Sequence, residues 1–330
     1  MAVIDDDFLA RTHAGVASLL PEWGLGAGTD LRLLSLSENA TFIATDPRDG
    51  RRIVLRANRP GYHSLAAIRS ELAWITALRQ SETVITPAIL PLRNGDLVAS
   101  FDDAGLTRHV VAFEFMEGRE PDPDQSLVSG FEILGAISAR LHEHARNWDR
   151  PADFTRHTWD FESAFGDEPI WGPWRAAIGL TPAGADTIAR ALDLMKRRLD
   201  AYGKDRRRFG VVHTDLRLAN LLMRDDEIVV IDFDDMGFSW YVYDFASAIS
   251  FHELHPIVPQ LRAAWLSGYR TVAALDAEDE AMIPTFVMYR RLALTCWIAS
   301  HSETETARGA GLGDYTKGTV QMAEDYLRSA

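Results

Sequence analysis

FGVVHTDLRLANLLMRDDEIVVIDFDD, residues 209–235, is the stretch that decides the reading. Two short apolar runs, Val211-Val212 and Ile228-Val229-Val230-Ile231, have the composition of buried strands, and each ends in polar residues. The first delivers His213-Thr214-Asp215, with Asn220 five residues past the aspartate, and the second delivers Asp232-Phe233-Asp234. An acid, a carboxamide and a second acid, each just beyond an apolar run, fit metal-assisted phosphoryl transfer. In that chemistry Asp215 orients an acceptor hydroxyl and takes its proton, while Asn220 and Asp232 hold Mg²⁺ against nucleotide phosphates. Solvated loop acids are the bland alternative, but buried strand ends seldom gather several carboxylates without a cation.

HxDxxxxN followed by IDFDD resembles the catalytic and metal-binding loops of the aminoglycoside phosphotransferase and choline kinase group. Within it the resemblance is to type II homoserine kinase-like and stress-response kinase-like members. The two motifs stand in order, twelve residues apart from Asn220 to Asp232. The resemblance implies an α+β, bilobal, protein-kinase-like fold. A nucleotide-binding lobe over residues 1–115 would carry an antiparallel sheet and one main helix, and a mostly helical catalytic and substrate-binding lobe would cover 116–330. It also implies ATP and Mg²⁺ as cofactors.

Length and composition set the bounds. The chain has 330 residues, enough for two lobes, and its 47% hydrophobic and 25% charged content is that of a globular protein. A net charge of −14 argues against a nucleic-acid partner. No apolar run reaches the length of a membrane span, and the acidic start MAVIDDDFLA has no leader pattern, so a cytoplasmic monomer or homodimer is expected. Cys296, the single cysteine, sits in an apolar run and reads as a core thiol. Lys196, Lys204 and Lys317 are the only lysines among 34 basic residues, and none lies in the first half of the chain.

Along the chain, residues 7–20 read as an amphipathic helix stopped by Pro21. Strand signals follow at 31–36, 40–45 and 52–57. The segment between the first two, with Ser37 and Asn39, occupies the place of a phosphate-covering loop but has no glycine; a plain hairpin turn would look the same. Kinases of this fold carry a lysine near residue 56. Here Arg56 stands in, with Glu71 of the helix 64–80 as partner, and a guanidinium grips phosphate or carboxylate with a fork rather than a point charge. The resemblance implies, by order along the chain, that Glu114, Phe115 and Met116 form the adenine-binding hinge.

In the expected second lobe, helices are expected at 126–146, 185–202, 256–270, 281–301 and 315–327. The aromatic segment 154–174, broken by glycines and prolines, either lines a substrate pocket or caps the core. Arg217, two residues after Asp215, falls where kinases neutralise the transferring phosphate, and His213 is placed to buttress the loop. Asp244 resembles the family's structural aspartate. Asp234, Asp235 and Trp240 suggest an acceptor carrying a positive amine, since carboxylates and aromatic faces both favour cations.

The reading is therefore a kinase for a small hydroxyl-bearing, amine-rich metabolite or antibiotic. Only twelve residues separate Asp232 from Asp244, too few for a peptide-docking activation segment. Protein serine/threonine phosphorylation of the stress-response type is the runner-up. A non-catalytic nucleotide-binding protein is the third reading, motivated by Arg56 in place of lysine.

Overall fold

The computed structural model describes residues 6–36, 39–121, 123–224 and 227–329. In chain order the first elements are α1 (Asp6–Leu19), β1 (Asp30–Leu36), β2 (Ala40–Thr45), β3 (Arg52–Ala57), α2 (Leu65–Gln80), β4 (Val98–Asp103) and β5 (Leu106–Glu114). Then come α3 (Pro123–Asn147), α4 (Phe161–Phe165), α5 (Pro182–Tyr202), β6 (Phe209–Val212), β7 (Leu221–Arg224), β8 (Glu227–Val230) and β9 (Gly237–Trp240). The chain closes with α6 (Tyr243–Ala248), α7 (Val258–Arg270), α8 (Ala277–Ser300), α9 (Glu305–Gly309) and α10 (Gly313–Arg328). Among the described residues no helix is long and apolar enough to cross a membrane. The fold is α+β, an N-terminal antiparallel sheet followed by a mostly helical region, as expected.

Two compact units emerge, and neither is one continuous stretch. The first takes residues 1–119, 150–155 and 222–234; the second takes 120–149, 156–221 and 235–330.

In the first unit β1 to β5 form one antiparallel sheet in the order β1-β2-β3-β5-β4. Strand alternation sorts its side chains. Phe42, Ala44, Ile53, Leu55 and Ala112 point to one face, where Val16, Leu20 and Trp23 of the N-terminal helical segment cover them. Val98 and Val111 point to the other, against Ile68 and Leu72 of α2. Arg56 is paired with Val111 in the β3–β5 register and so shares that second face. The period of two thus carries its guanidinium toward α2, whose start is fixed by Ser64 Oγ accepting from Ala67 N at 3.1 Å. β7 and β8 form a separate two-stranded ladder, and Val230 N donates to Ile85 O at 2.8 Å.

The second unit is helical apart from β6 and β9, which pair antiparallel from Phe209↔Trp240 to Val212↔Gly237. The sequence reading had no strand at 237–240. Tyr202, Trp240, Phe286 and Trp265 are among its buried aromatics. α3 and α7 cross through glycine. A Cβ at Gly135 would stand 2.0 Å from Trp265 O, and one at Gly268 would stand 1.8 Å from Glu132 O. Both obstacles are backbone, so no side chain can swing away.

Gly268→Ala should therefore reverse the usual helix preference. In an open helix the change gains up to about 1 kcal/mol. Here overpacking should make it cost about 2–3 kcal/mol or more. Urea unfolding measures the difference, and a neutral or stabilising result would mean that the two helices part easily.

Candidate functional site

Each unit carries a cluster of buried charge built around an arginine, Arg56 in the first and Arg290 in the second, and the long motif supplies acids to both. In the first unit the centre is Arg56, 6% exposed. Its Nη2 donates to Glu71 Oε2 at 2.7 Å and its Nε to Asn58 Oδ1 at 3.1 Å, while Asp234 Oδ1 lies 3.5 Å from Nη2. Burial works against the charge, but Glu71, Asp234 and Asp232 outweigh it and push the arginine's pKa up.

Asp234 is buried within this cluster. Its Oδ2 accepts from Asn39 Nδ2 at 2.7 Å, and its backbone oxygen lies 2.9 Å from His63 Nε2. The sequence reading gave Asp234 to an acceptor amine; in the structure it is buried, with Oδ2 bonded to Asn39 and Oδ1 beside Arg56. Asn39 is likewise committed as a brace, since its Oδ1 accepts from Arg59 N at 3.1 Å. Ser37 lies outside the described residues.

Asp232 differs from both its neighbours. Phe233 and Asp234 are buried, and Phe233 meets Trp74 of α2 edge-on with ring centroids 5.6 Å apart. Asp232 is exposed and takes φ 60°, a left-handed conformation that costs a non-glycine residue about 1–3 kcal/mol. Three acids, Glu71, Asp234 and Asp232, act on this one guanidinium. Such a donor set fits a hard divalent cation, which Asp232 could meet with its exposed carboxylate. Glu114 ends β5, its N–H donating to Ala88 O at 2.8 Å, and Phe115 and Met116 follow half-buried beyond the ladder.

In the second unit β6 leads into the loop of Asp215. His213 and Thr214 are buried, and Asp215 is half-buried. Thr214 takes φ 65° and is held there from two sides. Its N–H donates to Asp244 Oδ1 at 2.9 Å, and its Oγ1 donates to Asp235 O at 2.7 Å. Asp244 Oδ2 lies 2.9 Å from His142 Nε2, and both side chains are fully buried. Asp244 thus ties the start of α6 to the loop.

Asn220 Nδ2 bridges the Asp215 backbone oxygen at 2.7 Å and Oδ2 at 3.0 Å. Committing the amide nitrogen leaves the carbonyl oxygen, the end a hard cation takes, as the other pole of the side chain. Arg217 Nε donates to Asp215 Oδ2 at 3.2 Å. Arg290 Nη2 donates to Asp215 Oδ1 at 2.9 Å, and this residue was missed in the sequence. A signal existed: two adjacent arginines, Arg290-Arg291, interrupt an otherwise apolar helical run and must each find partners. Arg291 finds Glu253 Oε2 at 2.8 Å, Thr319 Oγ1 at 3.0 Å and Tyr315 O at 2.8 Å.

Trp240 is a further correction. It is 1% exposed, packs against Phe209 and Phe286, and spends its indole N–H on Gly203 O at 2.7 Å, so it belongs to the core and faces no acceptor. Trp159, Phe165, Trp171 and Trp174 are also buried, which favours the core-capping reading of the aromatic segment. Asp235, half-buried, remains the acid of its pair with an accessible side chain.

Two outcomes follow from these networks. Arg56→Met would leave Glu71 and Asp234 buried against no cation and should cost about 3–5 kcal/mol. Arg56→Lys keeps the charge but loses part of the fork and should cost about 1–2 kcal/mol. Denaturant unfolding ranks the pair, and wild-type stability in both would place the guanidinium in water. Burial holds the His142 pKa below its ordinary value despite Asp244. A base neutral in the fold and protonated when unfolded stabilises fully above about pH 6.5 and loses that stability as pH falls toward the depressed value. His142→Gln should therefore flatten the fall in unfolding free energy between pH 7.5 and 5.5, read from urea titrations at both; an unchanged slope would clear His142.

The profile of the phosphotransferase enzyme family matches residues 30–280. A solved microcompartment-associated aminopropanol kinase is 41% identical, with a TM-score of 0.87 over 98% of both chains. Amicoumacin kinase of Bacillus subtilis (strain 168) is 22% identical over 273 residues, 79% of this chain and 77% of its own. An amicoumacin kinase solved with AMP-PNP and Ca²⁺ has the same fold, with a TM-score of 0.79 over 96% of each chain at 20% identity.

Proposed function

We propose, from the premise that this chain belongs to the phosphotransferase enzyme family, that it transfers the γ-phosphate of ATP to the hydroxyl of a short amino alcohol. Membership makes it a small-molecule kinase. The acceptor class is supported by one observation above the others, the 41% identity to an aminopropanol kinase over nearly the whole of both chains.

In this reading Asp215 accepts the proton of the acceptor hydroxyl, oriented by Asn220 and Arg217. Asn220, through its carbonyl oxygen, and Asp232, through its carboxylate, would be the residues that hold Mg²⁺. The metal, when bound, screens the nucleotide phosphates and the charge that develops on transfer. Arg56, braced by Glu71, takes the place of the usual lysine toward the phosphates, and the backbone from Glu114 to Met116 receives the adenine. Arg217 has further guanidinium donors for the transferring group beyond the one given to Asp215. His213, fully buried, supports the loop.

A peptide acceptor is disfavoured by the connection from Asp232 to Asp244. Four of its residues form β9, hydrogen-bonded to β6, and leave no extended segment to dock a substrate chain. Loss of catalysis is disfavoured by the retention of Asp215, Asn220 and Asp232 together.

The test is ATP-dependent phosphorylation over a panel of amino alcohols, with homoserine, choline and aminoglycosides as competitors. Short amino alcohols should give the highest kcat/KM. Asp215→Asn should lower it by about 10²–10⁴-fold, the range for a general base. A preference for a protein acceptor, or turnover indifferent to Asp215→Asn, would overturn the reading.

A further inference from the structure

Three side chains donate to Asp215, and two of them, Arg217 and Asn220, belong to its own loop. The third comes from 75 positions away on α8. Arg290 is 5% exposed, and its fork is committed at three points. Nε donates to Ser250 Oγ at 2.9 Å, Nη1 to Tyr243 OH at 3.1 Å, and Nη2 to Asp215 Oδ1 at 2.9 Å. Tyr243 begins α6 and Ser250 lies just past its end, so one guanidinium spans that helix. The ring of Trp171 adds a face, its centroid 5.8 Å from the guanidinium carbon. A planar group buried and held at three points has one orientation. The half-buried carboxylate must conform to the guanidinium rather than the reverse.

We propose that Arg290 is a positioning residue for phosphoryl transfer, acting through Asp215. By fixing one carboxylate oxygen, it sets the rotation of the other, so the lone pair that takes the hydroxyl proton has the same direction in every turnover. This rests on the reading of Asp215 as the base. The competing account makes Asp215 merely the counter-ion that a buried arginine requires. The two accounts differ in kinetics: a positioning residue is worth a large factor in kcat only while the group it positions is present.

The experiment is a double-mutant cycle on the full chain, with ATP and 1-amino-2-propanol as probes and thermal unfolding as the folding control. Arg290→Met should lower kcat by about 10²-fold while the KM for ATP stays within about threefold. Arg290→Lys should fall between Met and wild type, since an ammonium can reach Asp215 but cannot hold all three partners. In an Asp215→Asn background, Arg290→Met should change kcat by less than about threefold, because residues acting as a unit do not add. If Arg290→Met does not fold, Arg290→Lys keeps the buried charge and carries the same cycle. Losses that multiply in the double variant, or a kcat within threefold of wild type in the folded single variant, would overturn the proposal and leave Asp215 as the base. An Asp215→Asn enzyme with wild-type kcat would instead remove the reading beneath it.

Discussion

A guanidinium keeps its proton at any pH a fold survives, so wherever one is buried a carboxylate has to follow it. This chain has almost no lysine and draws its cations from arginine. Among the arginines it buries, Arg56 in the first unit and Arg290 in the second collect acids from the motif at 209–235. Arg56 gathers Asp234 together with Glu71 and feels Asp232; Arg290 holds Asp215. A lysine could have answered desolvation by giving up its charge. Arginine cannot, and the result is that the acids are held in place by the cation as much as they hold it.

The backbone conformations follow from the same constraint. Thr214 and Asp232 both sit at positive φ, immediately before Asp215 and at the first acid of the second cluster. Aspartate tolerates that region better than most side chains, but the β-branched Thr214 does not and must be held there. For Thr214 the means are visible: Asp244, itself paired with His142 in a fully buried setting, captures the N–H. For Asp232 the neighbouring residues are the anchors, Phe233 against Trp74 and Asp234 against Asn39 and Arg56. Strain of this kind persists only when the surroundings over-determine it.

What the sequence made legible was local. Apolar runs with polar ends located β6 and β8, and the family resemblance pointed to Arg56 and Glu71 as partners, which the register of β3 brings together on the face that α2 covers. Helix existence was legible and helix starts less so: the helix expected from 281 begins at Ala277, where Asp276 Oδ1 accepts from Asp279 N at 2.8 Å. Spacing alone could not say what an acid turns toward. Asp234 and Asp235 are adjacent and look equivalent as letters, yet one is buried with Arg56 while the other stays partly open. Trp240 carries the same signal as a cation-binding aromatic, and only the β6–β9 pairing and Phe286 reveal it as core. Arg290 was hidden for a related reason. An arginine in an apolar helix announces that it needs a partner, but the partner lies 75 positions away, beyond any local pattern.

The burial of the aromatics also bears on how an amine could be recognised. A cation–π contact needs an accessible ring face. In the second unit Trp171 already has a guanidinium near its face, Tyr243 meets Tyr289 edge-on, and Trp240 lies beneath Lys204. These faces are occupied by the protein's own groups. For the amine-bearing acceptor proposed above this leaves carboxylate, and Asp235 is a motif acid of this unit whose charge acts on Arg290. A point charge of that kind discriminates for an ammonium group but weakly among the skeletons that carry one. Under the proposed function, tight selection of one amino alcohol over another would then come from shape, from how much carbon fits between an ammonium held by a carboxylate and a hydroxyl presented to Asp215.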